Sequence, residues 1–216
     1  MRSLIVFLFI SISTLGISQI SINGGTGFLK GFGVPKYFYG FHVGGELPRS
    51  NELTMYARVG YYLPRNENDS AYTFLNAIDF NTSPYTITRS YISTLSHFTM
   101  EGGSRYYIGG FDNGFSAYGG NNFVIINSAV RRRYEEYDAS LYELPSGEEQ
   151  NGSIFSIALG LQGGLKYTDV SRGTFYFDVT GMYSILAAPS NQTAANTQLF
   201  SPLMFNFSFG YRKDFY

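Results

Sequence analysis

The sequence contains no cysteine and no tryptophan among its 216 residues. Without cysteine there is no disulfide framework, no thiolate nucleophile, no cysteine-ligated metal site and no lipoprotein anchor. Charged residues are also scarce, at 14% against about 25% in ordinary soluble domains. The formal net charge is only -1, so we expect no nucleic-acid partner.

Long apolar runs are missing as well, which excludes membrane-spanning helices. The N-terminus instead has the pattern of a secretory signal peptide, in which an arginine precedes the short apolar run Leu4–Ile10 and small residues follow it. We predict that the signal peptide covers residues 1–18 and is cleaved between Ser18 and Gln19. Residues 19–216 then form a single domain.

What the sequence has in abundance is phenylalanine, tyrosine and glycine, with 20, 19 and 25 residues. The segment 205–216 shows their arrangement best, because aromatic and polar residues alternate along it. Successive side chains of a strand point to opposite faces, so one face of this segment is aromatic and the other polar. The pattern predicts an all-β fold, a transmembrane antiparallel up-and-down β-barrel with aromatic residues toward lipid and polar residues toward the interior.

Similar alternation along the rest of the chain predicts eight strands. Their limits are 19–28, 37–47, 53–62, a strand that ends at 108, 115–127, 155–167, 174–186 and 205–216. The fifth strand alternates poorly around its glycine- and asparagine-rich segment 119–122, where we expect a β-bulge.

The connections alternate between short turns and long loops, as in outer-membrane barrels. Short turns are expected at 48–52, 109–114 and 170–173, and long loops at 29–36, 63–89, 129–153 and 187–202. An even number of strands places both termini in the periplasm. The aromatic-rich segment 71–92 allows two interpretations: a hairpin that extends the barrel above the membrane, or two further spanning strands, which would give ten.

Charged residues occur on the predicted interior faces as four acids and four bases. They are Glu46, Arg58, Glu101, Arg105, Lys166, Asp178, Arg212 and Asp214. The interior of an eight-stranded barrel is just wide enough for side chains to fill, and buried charges must be paired. We therefore expect a plug of ion pairs in place of a hydrophobic core, with Glu46 facing Arg58 and Lys166 facing Asp178. The alternative is a charged constriction in a narrow pore.

Other candidate sites are weaker. His97-x-Thr99-x-Glu101 is similar to the His-x-Ser arrangement of outer-membrane lipid A deacylases, with threonine in place of serine, and it suggests a membrane-embedded hydrolase as a further alternative. The only other histidine is His42, so we expect no metal site and no cofactor. The segment Asp69-Ser70-Ala71 is similar to the O-glycosylation signal of Bacteroidota, which makes Ser70 a candidate glycosylation site.

As a whole the chain resembles the small porin-like outer-membrane barrels of Bacteroidota, of the size of OmpA and OmpX. The resemblance rests on the signal peptide, the glycine-rich alternating strands and the C-terminal strand. In that strand Ser208, Gly210, Phe215 and Tyr216 approximate an assembly signal, although Lys213 stands where an apolar residue is expected. The resemblance implies insertion into a Gram-negative outer membrane by the barrel-assembly machinery, and no enzymatic activity.

From these patterns we expect a non-enzymatic barrel that is surrounded by outer-membrane lipid. We expect it to serve as a structural or accessory subunit of a larger secretion, gliding or barrel-assembly machine. It would bind other outer-membrane proteins through its loops and its lipid-facing surface, because elaborate loops on a closed scaffold are where function resides. A narrow passive channel is the main alternative.

Overall fold

The computed structural model describes residues 20–67, 71–110, 114–146, 148–169 and 171–215. The predicted signal peptide, Ser70 and Tyr216 lie outside these ranges. A single short helix, α1, covers Gln192–Ala195 in the part of the chain that is described. The strands are β1 Ile20–Gly31, β2 Tyr37–Pro48, β3 Leu53–Asn66, β4 Ala71–Ala77, β5 Thr86–Tyr107, β6 Gly114–Tyr134, β7 Tyr142–Glu143, β8 Asn151–Asp169, β9 Gly173–Pro189 and β10 Leu203–Phe215.

Eight of these strands close into an antiparallel barrel, in the order β1, β2, β3, β5, β6, β8, β9, β10. The barrel closes because β10 pairs with β1 along the full length of β1, from Ile20 opposite Phe215 to Gly31 opposite Met204. β3 pairs directly with β5, so β4 is left outside the barrel and pairs with the upper part of β5. The eight-stranded prediction is confirmed, and the segment 71–92 forms a hairpin above the barrel and adds no spanning strand.

The wall of the barrel is much taller on one side than on the other. β5, β6, β8 and β9 have 22, 21, 19 and 17 residues, whereas β1, β2, β3 and β10 have between 12 and 14. The extra length lies at the end of the barrel that carries the long loops. The segment Arg131–Arg133, which the sequence placed in a loop, therefore belongs to β6.

The bulge predicted at 119–122 is not present, because β6 pairs without interruption with both β5 and β8 through this segment. Glycine serves a different purpose here. A Cβ atom at Gly120 would collide with the backbone carbonyl of Ser104, and one at Gly103 would collide with that of Asn121. The glycines thus permit close approach of β5 and β6. The pairing register instead shifts between Tyr62 and Arg65 and between Ile157 and Ala158.

Large apolar side chains cover the outside of the barrel. Phe41, Val43, Leu161, Tyr183 and Phe209 are each more than half exposed, whereas the interior faces of the same strands are buried and mostly polar. A soluble sheet would bury such an apolar face, so this inverted distribution suits a barrel surrounded by hydrocarbon. Within the described ranges no helix has the length and apolar character needed to cross a membrane.

The half of the lumen nearest the long loops contains an apolar core, which we call the apolar plug. It is built from strand residues and from loop residues that fold inward. Its members are Leu29, Val34, Phe38, Tyr62, Leu95, Val124, Ile126, Val130, Ile154, Ala158, Met182, Ala194, Leu199 and Met204. The expectation that ion pairs replace a hydrophobic core throughout the interior is therefore wrong for this half, because strands such as β6 carry apolar residues on both faces.

Above the barrel, β4, the upper part of β5 and β7 form a small unit, which we call the loop module. β7 pairs with β4 at Asn76 and Ala77. The module has its own hydrophobic core of Leu75, Ala77 and Tyr142, with Ile87, Tyr137 and Leu144 packed against it. The long loops are thus partly folded into a unit with its own hydrophobic core.

Candidate functional site

The half of the lumen nearest the short turns holds a network of charged side chains, which we call the charged layer. Glu46 is fully buried at its centre. Its carboxylate lies 2.9 Å from Arg105 Nη1 and 3.4 Å from Arg212 Nη1. The hydroxyls of Thr54 and Tyr107 donate hydrogen bonds of 2.5 and 2.6 Å to the same carboxylate. Two guanidinium groups and two hydroxyls therefore compensate the charge of Glu46 after it has left water.

A second set of contacts crosses the lumen through Asp178. Arg58 forms an ion pair with Glu101, which lies directly opposite it on β5. The Nη1 atom of Arg58 also lies 3.3 Å from Asp178 Oδ2 on β9, and Arg105 Nη2 lies 3.4 Å from the same oxygen. The Tyr118 hydroxyl donates to it at 3.3 Å. These contacts join β3, β5, β6 and β9 across the barrel.

The structure places seven of the eight predicted interior charges in buried positions, and the eighth, Asp214, in a half-buried one. Arg212 Nε lies 3.1 Å from Asp214 Oδ1, and Ser21 donates to that oxygen at 2.5 Å. Lys166 donates to Thr168 at 3.1 Å, with its ammonium 5.4 Å from the centre of the Tyr107 ring.

The predicted partners of these charges differ from the observed ones. Glu46 lies opposite Tyr56, not opposite Arg58, in the pairing of β2 with β3. Lys166 lies opposite Tyr176, and Asp178 lies opposite Gly164. Alternation of side chains fixes which face a residue occupies, but the partner depends on strand register.

Tyrosines in the charged layer were missed by the sequence analysis as site residues. The guanidinium of Arg105 lies 4.0, 5.2 and 6.0 Å from the ring centres of Tyr56, Tyr118 and Tyr176. Such cation–π contacts stabilise a desolvated cation. Tyr56 and Tyr176 each lie two residues from a predicted interior charge, Arg58 and Asp178, and this spacing was the signal that could have identified them.

The two layers leave little room for water in the lumen. Lys166 and Asp178 in the charged layer, and Phe38 and Leu95 in the plug, are each at most 2% exposed. A water-filled pore would expose the side chains that line it. The observed burial therefore favours a filled lumen over a conducting one.

His97, the residue on which the hydrolase interpretation depends, is buried against the apolar plug. Its ring packs edge-on against Phe38 at 4.4 Å, and its Nδ1 atom lies 2.8 Å from the Ser128 hydroxyl. Glu101 is engaged by Arg58. A catalytic relay requires an acid that orients the base and a hydroxyl that faces substrate, and this arrangement supplies neither.

No cluster of three or more potential metal ligands occurs among the described residues. The second histidine, His42, lies on a different strand, and its Nε2 atom is 2.7 Å from the Tyr176 hydroxyl.

The C-terminal strand shows what its proposed assembly residues do in the folded barrel. Ser208 is buried toward the lumen, and Phe215 is half exposed on the outside. A Cβ atom at Gly210 would collide with the ring of Tyr176. Glycine at this position therefore allows the interior tyrosine to cross β10.

The loop module presents exposed aromatic side chains above the barrel. Tyr72 and Phe74 on β4 are 72% and 63% exposed, and Phe80, beyond the end of β4, is 89% exposed. β4 pairs with β5 from Ala71 to Asn76 but with β7 only at Asn76 and Ala77. One edge of β4 pairs with β5. Along residues 71–75 the other edge of β4 has no strand partner within the part of the chain that the structure describes.

Ionic contacts and hydrogen bonds hold this module in place. Glu148 accepts a hydrogen bond from Thr73 on β4 at 2.8 Å and lies 3.7 Å from Arg132 on β6. In the loop that follows β6, the side chain and the backbone N–H of Ser140 donate to Asp138 and lower the pKa of that exposed carboxyl. The segment 131–149, which the sequence placed in a long loop, is thus tied to the loop module.

Comparison with known proteins shows which solved structures have a similar fold. No protein-family profile and no curated protein matches the sequence. Among solved structures, a major outer membrane protein from Thermus thermophilus is 12% identical with a TM-score of 0.55, over 91% of this chain and 98% of that one. The Neisserial surface protein A is 10% identical with a TM-score of 0.53, over 91% and 96%. The chain thus has the fold of small eight-stranded outer-membrane barrels.

Proposed function

We propose that this chain is a non-enzymatic barrel of a Gram-negative outer membrane that works as an accessory subunit of a larger envelope assembly. The observation that carries the proposal is the free strand edge of the loop module at 71–75. A barrel with a filled lumen beneath the folded loop module favours a protein that acts by binding other proteins over one that transports solutes.

The chemistry of the edge indicates the kind of partner. A free edge offers backbone N–H and C=O groups to an extended segment of another protein, and pockets between alternate side chains provide selectivity. On β4 those side chains are Tyr72 and Phe74, both exposed aromatics of the type that dominates protein interfaces. The small core behind β4 orders the edge before a partner binds, so that the edge itself loses little entropy when a strand adds to it.

The orientation of the barrel in the membrane is inferred from where its loops and chain ends lie. The short turns and both described chain ends, at Ile20 and Phe215, lie at one end of the barrel, and the loop module lies at the other. Long loops face outward in barrels of this architecture, so we place both termini in the periplasm and the loop module outside the cell. Insertion by the barrel-assembly machinery, with Ser208, Gly210, Phe215 and Tyr216 as the signal, is part of the proposal. Assignment to Bacteroidota stays a prediction.

The proposal is tested by site-specific photo-crosslinking of the full chain in its native membrane. A crosslinking amino acid in place of Tyr72 is expected to capture one envelope protein. The additional change Phe74→Lys should abolish that product, because a charge on an edge strand opposes strand addition. The matched control is a crosslinker in place of Phe115, which is equally exposed but lies at the short-turn end.

Two outcomes would contradict the proposal. One is the absence of any protein adduct at Tyr72. The other is an adduct that persists unchanged with lysine at position 74, which would show that proximity in the membrane and not the strand edge produces it.

A further inference from the structure

An open cleft lies on the outer surface of the barrel, where the loop-side ends of β2 and β3 meet. Its volume is about 570 Å³. We call it the rim cleft, and its lining residues are Pro35, Lys36, Tyr37, Tyr39, Pro64, Arg65 and Asn66. Two of the seven are cations and none is acidic.

One of the two cations in the cleft, Arg65, contacts an aromatic ring on the outer face. The pairing of β3 with β5 shifts in register between Tyr62 and Arg65, and such irregularities redirect side chains. The Arg65 guanidinium lies 4.9 Å from the centre of the Tyr39 ring. Beside the cleft, the Lys30 ammonium lies 4.3 Å from the centre of the Tyr37 ring. Two tyrosines of the cleft thus position one of its cations, Arg65, and a neighbouring cation, Lys30.

Within the described residues, no acidic side chain neutralises the positive charge of the cleft. Across the described residues, none of Lys30, Lys36 and Arg65 forms an ion pair. The acid nearest to Arg65 in the sequence, Glu67, turns instead to the last long loop, where it accepts hydrogen bonds from the backbone N–H of Gln198 and the hydroxyl of Thr197. An anion could therefore enter without displacing an internal partner.

The height of the cleft on the barrel matches the boundary of the hydrocarbon. Below it, the outward side chains Phe41 and Val43 on β2, and Tyr61 on β3, are exposed and apolar or aromatic. The 12 residues of β2 rise on the order of 28 Å along the barrel axis at a tilt of about 40°. That rise is similar to the apolar band of about 25 Å in such barrels. Lys36 and Arg65 therefore lie at the level of lipid headgroups.

We infer that the rim cleft binds the phosphate group of a membrane lipid. The planar fork of arginine and the point charge of lysine both suit phosphate oxygens. The exposed apolar strands directly beneath the cleft provide a surface for the acyl chains. Free inorganic phosphate has the same charge chemistry but would make no use of that surface, so the lipid is the expected source.

The test is native mass spectrometry of the full chain in a non-ionic detergent, titrated with phosphatidic acid or with phosphatidylcholine. The parent protein is expected to bind its first phosphatidic acid more tightly than phosphatidylcholine. Each of Lys36→Ala and Arg65→Ala should weaken that binding about fivefold, the size expected for one cation at a membrane surface. Lys213→Ala is the matched control, since Lys213 is exposed on β10 at the opposite end of the barrel.

Competition with inorganic phosphate at millimolar concentration distinguishes a lipid phosphate from free phosphate as the ligand of the rim cleft. Failure of phosphate to displace the bound lipid supports the lipid site, and displacement at concentrations equal to those of the lipid would overturn it. Equal affinity for the two lipids would also overturn it. So would unchanged binding in the Lys36→Ala/Arg65→Ala double variant, or an equal loss in Lys213→Ala. Lys36→Gln repeats the measurement with a conservative change if an alanine variant fails to fold.

Discussion

The two halves of the lumen are filled by different means. Toward the long loops, the apolar plug combines strand residues such as Phe38 and Leu95 with inward-facing loop residues such as Val34 and Leu199. Toward the short turns, the charged layer draws its ion pairs from the strands, through residues such as Glu46. The stability of the apolar plug depends on how well its side chains fill the available volume. The stability of the charged layer depends on the pairing of particular atoms.

This difference shows how loops and barrel are coupled. Val34, Ala194 and Leu199 belong to loops yet are buried in the plug, so the loops are anchored from below by hydrophobic burial. α1 contributes to the same anchor, since the N-cap Asn191 accepts a 2.9 Å hydrogen bond from the backbone N–H of Ala194. The charged layer stabilises the wall itself, because its contacts join strands that are not neighbours.

The largest effect is expected where two buried cations lose a carboxylate that they share. Glu46→Gln keeps the shape of the side chain but leaves Arg105 and Arg212 without the carboxylate that both contact. Removal of one member of a buried ion pair typically costs about 3–5 kcal/mol. Equilibrium unfolding of the barrel in lipid vesicles with guanidinium measures this loss.

The control for that variant is Glu52→Gln. Glu52 is exposed in the turn between β2 and β3, where a substitution should change the free energy of unfolding by no more than about 0.5 kcal/mol. A loss below about 1 kcal/mol for Glu46→Gln would show that the charged layer does not depend on this carboxylate.

A smaller effect is expected in the plug when volume is conserved. Leu95 is fully buried there, and Leu95→Met should cost less than about 1.5 kcal/mol, whereas Leu95→Ala should cost about 2–5 kcal/mol. The same unfolding measurement checks both. If Leu95→Met proved as damaging as Glu46→Gln, the two layers would not differ in the way their chemistry suggests.

The sequence shows the charged layer more clearly than the plug. On β2 and β3 polar and apolar residues alternate, so the interior positions of Glu46 and Arg58 can be predicted from the period of the strand. On β6, Val124 and Ile126 face the plug while Phe123 and Ile125 face outward. A strand that is apolar on both faces shows no alternation of polar and apolar residues, so its sequence does not show which face is interior.

The partners within each layer depend on information that no single strand contains. Asp178 meets Arg58 across the lumen, and this contact follows from closure of the barrel and not from neighbouring strands. The loop module was missed as a folded unit for a related reason. Its core joins Leu75 to Tyr142 over a long separation in the sequence, and the two-residue strand β7 has too few residues to show a period.

Ion conductance should be absent if the two layers act as seals in series. In planar lipid bilayers we expect no current steps from the parent protein. Neither Phe38→Ala, which removes a ring from the plug, nor Arg58→Gln, which disturbs the charged layer, should produce them, because the other layer remains filled. Steps that appear only when both changes are combined in a folded barrel would support two independent seals. Conductance of the parent whose ion selectivity changes with Arg58→Glu would instead establish a narrow channel, since selectivity set by that residue requires ions to pass beside it.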